Sequence, residues 1–487
     1  MNSFLRRKRA DDLLAEADEP GRQLKRTLGA FDLTLLGVGA IIGAGIFSSV
    51  GDMAAGTAGN PGAGPGLIIS YIITAIACGF AALCYAEIAA MVPIAGSAYT
   101  YSYVAFGETV AWIIGWDLII EYAIGNIYVA QAWATNLRFF LGNTFGVDFP
   151  AWLATDMQTA NHDPALSAVA PHIGGLAIGL NLPAILIVAM LTILLVVGIR
   201  ESARFNAAMV VFKVAIILAF IGIGAFNVDA DNWSPFAPNG FEGIWTGASL
   251  AFFSYIGFDA VSTAAEETYD PQRNLPRGMI YSLVICTVIY IATAAVMTGL
   301  KPSSELAGGD ALASALSVVG IPGAGQVMAL GAVAATTAVL LVFQMGQPRI
   351  FMAMSRDGLL PPIFGRIHPR FRTPYIGTIL TGLVVAVSSN LLTEGQALEL
   401  TNIGTLFAFV LVCGGVMALR RIEPTRPRSF KVPLYPVTPI LGIVACIFLM
   451  TGLPPANWWR FGLWLAAGMV IYLLYGRRHS KLAARGG

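Results

Sequence analysis

Four features of this sequence combine residue type and spacing in a way that can do chemistry. The first is Lys213, set in residues 206–220 (NAAMVVFKVAIILAF), where it is the only ionisable side chain. Centring a charge in such a run within a bilayer costs at least about 2.5 kcal/mol, so the ammonium either snorkels to the interface or finds acceptors inside. In the second case it can carry a proton. The second feature is the pair Asp117 and Glu121, one helical turn apart in an apolar stretch; at least one of them should face a cavity or a polar neighbour. We favour Glu121 as the inward-facing group and Asp117 as a structural hydrogen-bonding group. The third and fourth are glycine-interrupted runs, 37–47 (GVGAIIGAGIF) and 252–259 (FFSYIGFD). Each glycine weakens a helix by about 1 kcal/mol relative to alanine. Backbone that unwinds there frees N–H and C=O groups to meet a ligand. The N-terminus of the half-helix after a break suits a carboxylate, and unpaired carbonyls suit an ammonium. The alternative is that the Gly39/Gly43 spacing only lets helices pack closely.

Long apolar helices must position these groups. The chain has 487 residues, 56% hydrophobic and 12% charged, with a mean hydropathy of +0.71. Soluble domains carry about 25% charged residues, which argues against a soluble enzyme. About 20 apolar residues cross a bilayer as a helix. Twelve such stretches are expected, near 33–53, 67–91, 110–141, 182–199, 208–226, 244–265, 279–300, 325–354, 375–391, 400–419, 437–453 and 461–475. The two glycine-interrupted runs fall in spans one and six, the first helices of two five-span halves. Broken helices at corresponding positions of two halves point to a binding site of a membrane transporter.

Of the 29 Lys and Arg, 25 fall on the side of the termini, three (Arg138, Lys301 and Arg460) on the other, and Lys213 within a span. The positive-inside rule then places both termini in the cytoplasm. The expected organisation is a cytoplasmic segment (1–31), a first five-helix half (32–226), a second five-helix half (243–420), two further helices (433–476) and a cytoplasmic tail (477–487). Residues 142–179 and 227–242 form external loops, and the Tyr-rich 96–107 (GSAYTYSYVAFG) is expected as an interfacial helix. The charged N-terminus is not a cleavable signal. A net charge of +1 argues against a nucleic-acid partner. Cys78, Cys84, Cys286, Cys413 and Cys446 all lie in apolar stretches without metal-ligand spacing, so neither disulfide nor zinc is expected. His162, His172, His368 and His479 fall outside the spans, and no nucleophile or metal motif supports an enzyme. No cofactor is expected.

Six segments in order carry a family resemblance: 39–47 (GAIIGAGIF), 85–93 (YAEIAAMVP), 115–122 (GWDLIIEY), 254–259 (SYIGFD), 266–276 (EETYDPQRNLP) and 355–361 (SRDGLLP). With them the chain resembles the amino acid-polyamine-organocation superfamily, and within it the bacterial members of the cationic amino acid transporter family. The resemblance implies an all-α integral membrane protein with the leucine-transporter fold: an inverted repeat of five plus five helices, two extra helices, and alternating access. It implies that the substrate carboxylate meets the N–H groups of Ala44 and Gly45, with Ile41 lining the site. The amine would meet carbonyls of Phe253, Ser254 and Ile256, with Phe258 as an aromatic lid and Glu121 and Thr336 as further polar groups.

In proton-coupled members of the superfamily, a lysine at this place in span five reaches carbonyls of span one where related transporters bind sodium. Here these would be Gly39 and Ile42, with a hydroxyl from Thr336 or Thr337 closing the site. The resemblance therefore implies a symporter of L-amino acids and protons in the cell (inner) membrane, functional as a monomer in the lipid bilayer. Neutral amino acids such as alanine come first, because no acidic group beyond the amine pocket is evident; cationic ones follow. An exchanger and a transport-inactive sensor remain as alternatives. Glu87 and Asp259 are candidate gate or packing partners. Arg273 and Arg356 are candidate partners of Glu266, Glu267 or Asp357 in an inward latch.

Overall fold

The computed structural model describes residues 6–8, 27–57, 59–93, 97–147, 149–198 and 203–482. Most of the N-terminal segment 1–31 lies outside them. Helix α1 (Ala30–Ile41) is separated by a short break from a π-helical turn (Gly45–Ser49) that runs into α2 (Val50–Ala55), with a bend of 40°. After α3 (Leu67–Met91) and α4 (Ser97–Ala105), α5 (Glu108–Ile119) continues through a second π turn (Ile120–Ile124) into α6 (Gly125–Phe145). Two short helices, α7 (Met157–His162) and α8 (Pro164–Val169), precede α9 (Leu182–Val197) and α10 (Ala203–Ala225). Helix α11 (Gly240–Ala251) gives way to 3-10 segments at Phe252–Tyr255 and Phe258–Glu267. There follow α12 (Pro271–Leu300), α13 (Ala311–Ser317), α14 (Ala324–Arg356), α15 (Tyr375–Ser388), α16 (Glu394–Ile422), α17 (Val437–Thr451) and α18 (Pro455–Ile471). Among the described residues, strands are confined to two-residue hairpins, Gly56–Thr57 with Asn60–Pro61 and His172–Ile173 with Leu176–Ala177.

Among the described residues, eight helices are long and apolar enough to cross a bilayer, and nine when the bent pair α1 and α2 counts as one. Helices α9, α15 and α17 stand at the fourth, ninth and eleventh expected stretches but have only 16, 14 and 15 residues. At 1.5 Å per residue they fall short of the about 30 Å hydrocarbon core. Their sidedness is nonetheless that of membrane helices. Leu186, Met190, Ile193 and Val197 follow one face of α9 and are exposed, while Ile187, Val188, Leu191 and Leu195 are buried. Helix α12 lies along α1 and α3, α14 along α6, and α16 between α6 and α17.

Described residues near both ends of the chain meet on one face. The Arg6 carbonyl accepts from the Glu108 N–H (2.8 Å), Lys8 pairs with Asp357 (2.6 Å), and the Lys481 N–H donates to the Asp357 carbonyl (3.1 Å). Two expectations for this face are corrected. The Tyr-rich segment is helical but not interfacial: Tyr99, Tyr101 and Tyr103 are at most 4% exposed. It is covered because α16 packs on it and two of its hydroxyls have acidic acceptors, Tyr99 donating to Asp357 (2.7 Å) and Tyr103 to Glu108 (3.3 Å). The latch also has other partners. Asp357 pairs with Lys8 and not Arg356, and Arg273 pairs with Asp270 (3.8 Å). The side chain of Glu266 lies outside the described residues.

Candidate functional site

The two breaks touch. Span one turns extended at Ile42 (ψ 103°) before the π-helical turn starts at Gly45. Span six breaks at Ile256 (ψ 133°) and at Gly257, whose φ of 119° is a left-handed conformation that side chains disfavour. A Cβ on Gly45 would lie 2.4 Å from the Ser254 Cα, and one on Gly257 would lie 2.8 Å from the Ala40 carbonyl oxygen. Glycine is therefore required where the backbones of the two breaks approach each other. The packing role weighed for Gly39 and Gly43 is present too, since Cβ atoms there would meet Val210 (2.6 Å) and Val339 (2.4 Å).

Ile41, Ala44, Phe253, Ser254, Ile256 and Phe258 surround this contact and are at most 5% exposed. Ala44 and Gly45 open the second half-helix, where N–H groups have no intrahelical acceptor. The carbonyl of Phe253 accepts from the Ile256 N–H (3.2 Å). Phe253 stacks edge-to-face on Tyr128 (centroids 4.7 Å apart), whereas Phe258 packs on Tyr85 and Phe409 (5.8 and 5.1 Å). The two phenylalanines thus pack against different helices, Phe253 on α6 and Phe258 on α3 and α16.

Lys213 does not snorkel. It is 1% exposed, and its ammonium donates to the carbonyl oxygens of Gly39 and, at 2.7 Å, of Ile42. Those carbonyls are available because the bend in span one interrupts the helical ladder. Thr336 and Thr337 are not hydrogen-bonded to the ammonium. The Thr336 hydroxyl donates to the Ala332 carbonyl (2.7 Å), and that of Thr337 donates to Val333 (2.7 Å) while accepting from the Trp133 indole (2.9 Å). Each is satisfied within or beside its own helix, the usual competitor for a helical threonine hydroxyl.

Glu121 lies in the π turn of span three, 3% exposed, and accepts from the Thr405 hydroxyl of α16 (3.3 Å). Asp117, expected as a structural hydrogen-bonding group, is 1% exposed. Its Oδ1 is buried without a hydrogen-bond partner, 3.0 Å from where a Cβ on Gly404 would stand. Glu87 accepts two bonds from Arg420 (2.9 and 2.5 Å) and one from the Val432 N–H (2.7 Å), with Arg428 at 3.2 Å. It joins α3 to the end of α16 and the loop beyond.

Sequence reasoning missed Tyr290 on α12. Its hydroxyl donates to the carbonyls of Ile41 (2.9 Å) and Ser254 (2.8 Å), one from each break. Its ring packs against Tyr71 and Tyr255 (centroids 5.5 and 5.3 Å apart). A tyrosine deep in an apolar span was the available signal, since a buried phenol needs a partner.

A family model described as amino acid permease matches residues 28–474, nearly the whole chain. The chain belongs to the amino acid permease family. The permease is 45% identical to the branched-chain amino acid permease BcaP of Bacillus subtilis (strain 168), over 99% of both chains. It is 43% identical to a methylthioribose transporter of the same organism, over 99% of this chain and all of that one. It is also 37% identical to the vacuolar cationic amino acid transporter 4 of Arabidopsis thaliana, over 87% of this chain and 68% of that one. This amino acid permease is thus a multi-pass membrane protein.

Proposed function

We propose that this permease imports neutral amino acids together with protons by alternating access, crossing the cell membrane twelve times with both termini in the cytoplasm. The substrate carboxylate meets the N–H groups of Ala44 and Gly45. The amine meets the carbonyls of Phe253, Ser254 and Ile256, and Phe253 and Phe258 flank the side chain. The apolar surroundings of the break, formed by Ile41, Ala44, Phe253 and Ile256, favour an aliphatic side chain, and the name of the 45% identical relative moves the first choice from alanine to branched-chain residues. Glu121 serves as an internal polar group of span three, and Thr336 as part of the wall.

The observation that carries the coupling mechanism is the Lys213 ammonium on the carbonyls of Gly39 and Ile42. An ammonium there takes the place of a monovalent cation on the same acceptors. Losing its proton frees those carbonyls and loosens the break, so proton release is linked to opening. The test is uptake of labelled leucine, alanine, lysine and methylthioribose into proteoliposomes under an imposed proton or sodium gradient. Leucine uptake should follow the proton gradient, ignore sodium, and lose its gradient dependence in Lys213→Ala. Sodium-driven uptake that survives Lys213→Ala would overturn the mechanism, and uptake of methylthioribose alone would overturn the substrate assignment.

A further inference from the structure

Beyond the buried break, a cavity of about 400 Å³ opens on the face opposite the chain ends. This volume lies within the roughly 300–1,000 Å³ of small-molecule pockets. Its lining includes Thr135, Arg138, Phe139, Asn143, Phe149 and Asp310. The wall offers one fixed cation, one acid and two aromatic rings. Arg138 makes a single long hydrogen bond, from Nη1 to the Ala154 carbonyl (3.3 Å), and no ion pair joins it to Asp310 among the described residues. Burial raises the Asp310 carboxyl above its usual range, while its own backbone N–H, Lys301 and Arg138 pull it down. The cation and the acid therefore sense each other across the cavity without closing on each other.

We propose that this cavity is a second, outer binding site for the zwitterion of an amino acid. The guanidinium of Arg138 takes the carboxylate, a planar fork matched to a planar acceptor. The carboxylate of Asp310 takes the ammonium, and Phe139 and Phe149 bound the space for an apolar side chain. The site is wired to the inner one through the residue after Thr135. Asn136 donates to the Gly309 carbonyl (2.9 Å) and to the Ser48 hydroxyl (3.0 Å), and Ser48 belongs to the π turn that begins at Gly45. A molecule held by Arg138 and Asp310 thus sits one hydrogen-bonded side chain from the inner break. Because the loop before α13 carries Asp310 while α6 carries Arg138, a zwitterion spanning them also ties that loop to span three.

The inference rests on the amino acid reading above, so the experiment separates the two. Equilibrium binding of labelled leucine to the purified full-length protein should give two molecules per chain. Arg138→Gln and Asp310→Asn should each bring this to one and raise the KM of proteoliposome uptake about tenfold or more, with kcat within about twofold, as loss of a charged hydrogen-bonding partner requires. Arg138→Lys, which keeps the cation, should lie between. The Gly45→Ala molecules that fold, recovered by size-exclusion chromatography, have the inner break blocked and should show no uptake yet keep one bound leucine. A stoichiometry of one in the unaltered protein, or two that both neutral variants retain, overturns the outer site while leaving the transport reading intact. A fall in kcat at unchanged stoichiometry overturns it as well, because the pair would then act only in movement. No binding to the unaltered protein overturns both.

Discussion

Replacing Tyr290 with phenylalanine removes one oxygen atom and leaves the ring in its contacts with Tyr71 and Tyr255. That oxygen carries a single proton shared between two carbonyls, Ile41 at 2.9 Å and Ser254 at 2.8 Å, so it counts as one strong bond or two weakened ones. A net hydrogen bond is worth about 0.5–1.5 kcal/mol, and a buried carbonyl left unpaired costs about 1–3 kcal/mol. The loss is therefore about 1–3 kcal/mol in the state where the breaks lie together. If substrate is held in that state, its affinity falls roughly 5- to 150-fold, at 1.4 kcal/mol per factor of ten. Leucine binding to purified protein and half-saturation of proteoliposome uptake measure this. Tyr255→Phe is the control: its hydroxyl donates to the Tyr71 carbonyl (3.2 Å), which belongs to neither break, so it should lower thermal stability without moving affinity. A Tyr290→Phe protein that binds leucine within twofold of the unaltered one would refute the argument that this hydroxyl joins the breaks for the substrate.

Three further outcomes are expected. Lys213→Arg keeps a cation on the Gly39 and Ile42 carbonyls but cannot release its proton, so leucine counterflow should persist while accumulation driven by a proton gradient is lost; equal loss of both would contradict this. Glu87→Gln removes the counter-charge of the Arg420 and Arg428 guanidinium groups, of which Arg420 is partly exposed, and should cost about 1.5–3 kcal/mol, visible as an earlier thermal aggregation midpoint in detergent. Gly257→Ala combines a φ of 119° with a Cβ 2.8 Å from the Ala40 carbonyl oxygen, so well-folded protein by size-exclusion chromatography should drop sharply, with uptake per folded molecule falling as well.

The break in span one was legible because four glycines within nine positions weaken a helix whatever surrounds it, and the structure bends between Ile41 and Gly45. The break in span six was legible for the same local reason, the glycine in SYIGFD. Lys213 stood out as a charge with no partner nearby in sequence, and the family resemblance supplied its two carbonyls. What sequence left hidden depends on distant helices. Tyr290 reaches Ile41 across 249 positions, and only packing of α12 along α1 brings the phenol there. Thr337 looked available to the ammonium because sequence does not reveal that its hydroxyl is taken by Val333 and Trp133. The Tyr-rich helix was misplaced at the interface because amphipathic composition does not distinguish a lipid headgroup from the acids Asp357 and Glu108 as hydroxyl partners.

The contact of Glu87 with Arg420 and Arg428 fastens α3 to the end of α16 on the face where residues near both ends of the chain meet. Pulling these elements apart would break charge-assisted hydrogen bonds worth about 1.5–3 kcal/mol, several times thermal energy. A rotation that keeps the carboxylate in the grip of both guanidinium groups avoids that cost. Opening on this face is therefore easier as a swing about Glu87 than as a parting at it, which makes this ion pair a fulcrum. The largest displacement should then occur at the edge of the bundle farthest from Glu87.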